Sequence, residues 1–326
     1  MYGASYGRIL YVIDEKKTKS ERHHWWPECV SIHWADEKGG VHWLLPSGEV
    51  KRARPKSFGV IGNGHFIKLG NRPSEITPWD QNFETVFQKA DDQFPAVIDW
   101  LKALNFECCF DQTPRQRFIA QPSSQEAFGQ MVESLTSLAI RSPMTREACV
   151  SLAERLRGPL PEWERNRLIT TNMRDMHNRA IRIFGTRGKA TVIWSPDREL
   201  IYGDGFFHNL TSPSGLPISP EMLVPITPRL AVLYAIPTKY VDEPRLSTFV
   251  VDANEAERLN HVVQIYSHDK LFYRSECPKI TEEYRADEHR RFSSPGHIVD
   301  QMIHNMPGVP DRETSFDFLS QFLLRR

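Results

Sequence analysis

The chain has 326 residues, 40% hydrophobic and 25% charged, with 41 basic and 41 acidic side chains and a formal net charge of zero. This is the composition of a globular chain long enough for a sizeable core or two domains. It excludes a nucleic-acid binder driven by bulk charge, which would be basic, and no apolar run reaches the length of a membrane span.

Residues 1–17 lack the basic start, apolar core and small-residue cleavage site of a secretory leader, so a cytoplasmic location is expected. Residues 8–13 read as a strand. His23-His24-Trp25-Trp26-Pro27 then opens a run to Trp43 that holds four of the twelve histidines (His23, His24, His33, His42) and four of the eight tryptophans (Trp25, Trp26, Trp34, Trp43). Pro27 suits the first turn of a short helix over Glu28–Trp34, where a missing N–H costs nothing. Gly39-Gly40 is a turn. Val41–Leu45 and Glu49–Arg52 flank Pro46-Ser47-Gly48 as a β-hairpin.

Helical spacing of apolar residues runs from Pro78 to Phe106, with a bend expected near Pro95. A second helix spans Ser123–Ile140, opened by a Ser123/Glu126 capping box and ended by Arg141-Ser142-Pro143. Thr145–Leu156, closed by Gly158, and Glu162–Phe184, closed by Gly185, are two more. The period then changes. Ala190–Trp194, Leu200–Tyr202, Met222–Pro225 and Leu230–Ile236 are short apolar runs that predict strands. Asp252 caps a helix over Glu255–Tyr266, and Leu271–Tyr273 is a further strand. Ser294-Pro295 opens a helix carrying Ile298, Val299, Met302 and Ile303. An apolar patch from Phe316 to Leu323 should dock on the body. The order predicts an α+β fold: an N-terminal β-hairpin module (1–75), a central helical segment (76–185), a C-terminal strand-rich segment with packing helices (186–280) and a helical tail (281–326).

The histidine pair is the first candidate for chemistry, because imidazole moves protons near neutral pH and binds transition metals. Neighbours in an extended segment point to opposite faces, so both rings serve one centre only if the backbone bends before Pro27. The competing reading has one histidine bonding backbone and the other packing among the tryptophans. The pair also resembles the start of an HNH nuclease, but Asn63-Gly64-His65 is too isolated to complete that motif. Lys51-Arg52-Ala53-Arg54-Pro55-Lys56 is a local basic patch that could meet phosphate while nearby tryptophans stack on bases; as a solvated edge strand it needs no ligand. Gly185 to Lys189 lacks phosphate-loop spacing and reads as a helix end leading into a strand. His297, Asp300 and His304 share a helical face, either as metal ligands or as a wetted surface. The five cysteines are odd in number and form no CxxC, which excludes a disulfide framework or a zinc knuckle and suggests buried structural thiols.

A set of short motifs then lines up. His23-His24-x-x-Pro27, the hairpin with Gly48 and Pro55-Lys56, Glu84, Arg141-Ser142-Pro143-x-x-Arg146, Tyr202-Gly203-Asp204, Pro225-Ile226-Thr227-Pro228, and Asn254 with Leu259-Asn260 together resemble the domain family of unknown function numbered 4238, over residues 22 to 275. Gly203 stands where that family has Ser, and no Pro follows Asp204 closely. The resemblance implies no established activity, but it singles out residues. It leads us to expect His23, His24, Glu84, Arg141, Asp204 and Asn260 to converge. A histidine would transfer protons, and Asp204 or Glu84 would orient it or bind a divalent metal. Arg141 would hold an anionic group, such as phosphate, with Asn260 beside it. This set points to a hydrolase acting on a phosphodiester or nucleotide, of a toxin or defence-nuclease kind. The alternatives are a non-catalytic nucleic-acid or protein-binding module using the Trp-rich, basic hairpin, and a structural lock.

Overall fold

The structure, a computed structural model, describes residues 22–57, 60–62, 66–67, 81–82, 85–184, 187–210, 219–286 and 298–310. The strand expected at 8–13, the glycine at 185, the helix opening at Ser294-Pro295 and the patch from Phe316 onward lie outside these residues.

In chain order the elements are β1 (Arg22–His24), α1 (Glu28–Ser31), β2 (Val41–Leu44), β3 (Val50–Ala53), β4 (Val60–Gly62), β5 (Phe66–Ile67), β6 (Gln81–Asn82), α2 (Thr85–Lys102) and β7 (Ile119–Gln121). There follow α3 (Gln125–Arg141), α4 (Pro143–Arg157), α5 (Glu162–Phe184), β8 (Lys189–Trp194), β9 (Tyr202–Gly203), β10 (Glu221–Thr227), β11 (Leu230–Ala235) and β12 (Leu246–Val250). The described chain ends with α6 (Ala253–Ile265), β13 (Leu271–Tyr273), α7 (Glu282–Arg285) and α8 (Ile298–Asn305). The fold is α+β, as expected. No helix among the described residues is long and apolar enough to cross a membrane.

Local chemistry explains the boundaries. Ser142 serves two helices: its N–H donates to Ala139 O at the end of α3, and its hydroxyl accepts the Thr145 N–H at the start of α4. Pro143 occupies the first turn of α4, so that helix begins two residues earlier than predicted. The cap of α3 is Ser124, which accepts from Ala127 N–H at 3.1 Å, one residue later than the expected Ser123. Asp252 and Glu255 form a reciprocal capping box on α6. The hairpin β2–β3 turns at Gly48, whose φ of 87° suits a residue without a side chain.

Two larger sheets form. One runs β10-β11-β8-β12-β7, with β8 and β12 parallel and the other pairs antiparallel. Pro225 is tolerated in β10 because that strand is an edge, and the register shifts beside it. The other runs β3-β2-β13-β9. Strands β1, β4, β5, β6, β7 and β12 were not predicted, and β6 lies within the span expected to be helical, whose helix α2 begins only at Thr85. The five-stranded sheet is covered on both faces: Val192, Val224 and Val232 join the core under α2, α3 and α5, whereas Ile193, Leu223 and Leu233 join the core under α6 and α8. Two buried faces explain why these strands read as continuous apolar runs rather than alternating ones.

The tryptophan run belongs to the first of these cores. Trp26 and Trp34 are fully buried and Trp25 nearly so. Trp26 stacks on Tyr202 with ring centroids 4.0 Å apart, and the Trp34 Nε1–H donates to Ile226 O at 2.9 Å. The N-terminal segment is thereby pinned across both sheets.

Candidate functional site: a polar cluster around Arg141

Arg141 ends α3 and is 1% exposed. A buried guanidinium needs a counter-charge, and Asp91 of α2 supplies it, accepting from Nη2 at 2.6 Å and from Nη1 at 3.0 Å. Nε donates to Ser137 O one turn back. The guanidinium also lies over the Phe87 ring, 4.9 Å from its centroid. Cys29 of α1 donates to Asp91 O at 3.6 Å, which ties the segment after the histidine pair to this ion pair. Burial, then the Asp91 charge, push the Cys29 thiol up to about 11, so it is protonated at neutral pH and is no nucleophile.

Two further side chains feel the Arg141 charge. His177 of α5 packs edge-on against Phe87, 4.9 Å between centroids, from the side chain's buried position on α5. Burial first, and Arg141 second, push its imidazole down to about 4, so it is neutral at pH 7. Neither ring nitrogen has a hydrogen-bond partner among the described residues. Tyr202 of β9 is fully buried, its hydroxyl has no partner among the described residues, and burial raises its pKa well above the ordinary phenol value. The hydroxyls of Ser134 and Ser137, on the same stripe of α3 as Arg141, are also buried without partners among the described residues.

His208 shows what a purely structural buried histidine looks like in this chain. Its Nδ1 accepts from Leu210 N–H and its Nε2 faces the Thr145 hydroxyl at 3.3 Å, so both nitrogens are satisfied. His177, by contrast, has no such partner among the described residues.

The other expected site residues lie as follows. The backbone of His23 and His24 is in β1, paired with Ile61 and Val60 of β4. Glu84 lies outside the described residues. Asp204 is buried and brackets a turn, with Oδ1 accepting from His268 N–H at 2.9 Å and Oδ2 from Asp269 N–H at 2.8 Å. Burial pushes its carboxyl up while these two donors pull it down, and the net direction is up. Asn260 of α6 is buried and holds the strand entering β9: Oδ1 accepts from Ile201 N–H at 3.0 Å and Nδ2 donates to Glu199 O at 2.9 Å. Among the described residues, the side-chain hydrogen bonds of Asp204 and Asn260 go to backbone at 268, 269, 201 and 199 and not to Arg141 or Asp91.

The remaining candidates have ordinary roles. The basic patch is the exposed edge strand β3 and its flank, where Arg52 grips Asp36 through Nε at 2.9 Å and Nη2 at 2.7 Å. Trp25, Trp26 and Trp34 are too buried to stack on bases, and Trp43 is half-buried. Lys189, which follows the positive-φ Gly188, is buried and donates to Pro244 O at 2.7 Å and Asp242 O at 3.3 Å. All five cysteines are free, but Cys108 and Cys277 are exposed, which corrects the expectation of buried thiols. Among the described residues, no group of three or more His, Cys, Asp or Glu side chains could hold a metal ion.

Sequence reasoning missed Asp91 and His177, and Tyr202 entered it only within the Tyr202-Gly203-Asp204 motif. For His177 a signal existed: it interrupts the buried stripe Ile169, Met173, Ala180, Phe184 at helical spacing. Asp91 gives no comparable signal, since its role depends on where α3 crosses α2.

No protein-family profile, no curated protein and no solved structure matches this chain.

Proposed function

We propose that the chain is a hydrolase acting on a phosphodiester or nucleotide, with its chemistry placed at the Arg141 cluster together with the histidine pair. The observation that carries this reading is His177, a buried, neutral imidazole beside a buried arginine, with both nitrogens unbonded among the described residues. Leaving a buried polar group unmet costs about 1–3 kcal/mol. A water or a substrate oxygen at either nitrogen removes that cost, and a neutral imidazole is the form that accepts a proton. Arg141 supplies the positive potential that favours an anionic group nearby. Asp91, with a side chain 29% exposed, is where the ion pair meets solvent.

His23 and His24 enter this proposal as proton-transfer groups, with Glu84 as the acid that orients one of them or helps bind a divalent metal. Asp204 and Asn260 enter it as residues that shape the wall carrying Tyr202. The likeness to the family numbered 4238 and a setting in toxin or defence chemistry are part of the same proposal. So is a cytoplasmic location, which the five free thiols support.

The test is an assay of purified protein on RNA, DNA and nucleotides, with metal analysis of the preparation, alongside His24→Ala and His177→Gln. Turnover by the wild type with a loss of about 10²-fold or more in each variant is the expected result. Equal turnover in all three would remove both histidines from the chemistry. Absence of turnover with tight nucleic-acid binding would replace the hydrolase by a binding module.

A further inference from the structure

Helix α5 carries His177 on its buried face, and its solvent face carries a different chemistry. Trp163, Arg167, Arg174, Asn178 and Arg182 recur at helical spacing and share one side of the helix, across from the buried Ile169, Met173 and Ala180. Arg179 stands beside this row. Arg167, Asn178, Arg179 and Arg182 are exposed, and Trp163 is 44% exposed. A rise of about 1.5 Å per residue stretches the row over roughly 28 Å.

The charge on this face is unbalanced. The side chains of Arg167, Arg179 and Arg182 make no ion pair or hydrogen bond among the described residues. Two acids of α5 lie on the same side: Asp175, 3.8 Å from Arg174, and Glu164, which is taken by Arg157. On the adjoining flank the chain matches arginine with carboxylate, since Arg165 donates to Glu147 at 2.6 Å and to Glu154 at 3.1 Å. Arg179 and Arg182 stand three residues apart, a like-charged spacing that weakens a helix rather than supporting it. The helix holds no lysine, so every cation of the row is a planar fork that matches a pair of phosphate oxygens.

We infer that the solvent face of α5 binds single-stranded nucleic acid: the arginine row follows the phosphate backbone, Asn178 donates to a phosphate oxygen, and Trp163 stacks on a base at one end. Stacking needs an open indole, which Trp163 offers and the buried Trp25, Trp26 and Trp34 do not. It also needs a base free of its pair, which a single strand provides. The length of the row suits the sites of about 4–16 nucleotides that single-strand binders use. A chain of zero net charge holds a polyanion only through such a local patch. Binding here needs no turnover at the Arg141 cluster, so it stands or falls apart from the hydrolase reading.

The experiment is fluorescence anisotropy of labelled oligouridylate and oligothymidylate, about 15 nucleotides long, titrated with the full chain in EDTA at about 50 and about 200 mM salt. Micromolar binding at the lower salt is expected, weakening as salt rises. Combining Arg167→Gln, Arg179→Gln and Arg182→Gln should weaken it at least about tenfold and lower the salt slope by about 2, at roughly 0.7 for each lost single-strand phosphate contact. Trp163→Ala should cost about tenfold for the oligonucleotides and leave binding of heparin, which has no bases, unchanged. Arg54→Gln with Lys56→Gln, on the exposed flank of β3, should leave oligonucleotide affinity unchanged. The replaced arginines, lysine and tryptophan are all exposed, so the variants should fold, and melting temperatures check this. Absence of oligonucleotide binding up to about 100 μM would overturn the assignment. So would unchanged affinity in the folded triple variant, an equal loss in the β3 variant, or oligonucleotide affinity unmoved by Trp163→Ala.

Discussion

Arg141 and Asp91 form a two-pronged ion pair whose members differ sharply in exposure: the arginine side chain is 1% exposed and the aspartate 29%. Their loss should therefore be unequal. Asp91→Ala strips a buried cation of its carboxylate and should cost about 4 kcal/mol. Arg141→Met leaves a carboxylate that water can reach and should cost nearer 3 kcal/mol or less. Urea denaturation of the two variants measures the order. The reverse order would show that another group neutralises Arg141 in the absence of Asp91.

His177 should make the fold acid-labile. The unfolded imidazole takes up a proton near pH 6.5, whereas the folded one resists until about pH 4. Between these values the unfolded state binds more protons, so stability is lost as pH falls through that window and is fully present above it. The loss attributable to this residue is about 3 kcal/mol. His177→Phe, which keeps a ring against Phe87, should flatten that part of the stability-against-pH curve. His208, pushed down to about 3 by burial, remains in the variant and continues to destabilise the fold in acid. Parallel curves for variant and wild type would refute the neutral-His177 assignment.

Asn260 should prove a strong structural residue. Asn260→Ala leaves Ile201 N–H and Glu199 O buried without their partner, at about 1–3 kcal/mol each. A total near 3 kcal/mol is expected, read as a drop in melting temperature. Asp204→Asn should cost less, about 1–2 kcal/mol, since one oxygen still accepts while the new amide opposes a backbone N–H. Melting temperatures unchanged in both variants would contradict the bracket role of these side chains.

Gly203 has a steric reason. A Cβ built there would lie 1.8 Å from the Ser267 hydroxyl and 2.4 Å from Gly205 O. That hydroxyl sits 2.9 Å from Gly205 O and 2.8 Å from Val263 O, so it cannot simply move aside. Gly203→Ser should destabilise by about 3 kcal/mol or more through overpacking. Adding Ser267→Gly should recover part of this loss by removing the nearer clash. A tolerated single variant would show that the turn after β9 can relax.

The fold class and most elements were readable because they rest on local rules. Helix α5 matches its predicted span, Glu162–Phe184, since its buried stripe and flanking Pro161 are both sequence-near. The hairpin β2–β3 and the Asp252 cap were readable for the same reason. Strands β1, β4, β5, β6, β7 and β12 were not: each is short, and each forms by pairing with a strand far along the chain, as Ile119 does with Thr248 and Thr248 with Val192. The tryptophans could be recognised as important from their density, but not as interior, because burial of Trp26 depends on Tyr202 and Phe272 far along the chain.

What the sequence by itself determined is the local layer: periodicity, caps, turns and the identity of polar residues worth watching, Arg141, Asp204 and Asn260 among them. What only the tertiary structure decided is which partners those residues take. Arg141 went to Asp91, Asp204 to the backbone at 268 and 269, and Asn260 to the backbone at 199 and 201. A buried polar group must bond to whatever the crossing elements bring within about 3 Å. That neighbour is set by how helices and strands pack across the core, information that no local spacing carries.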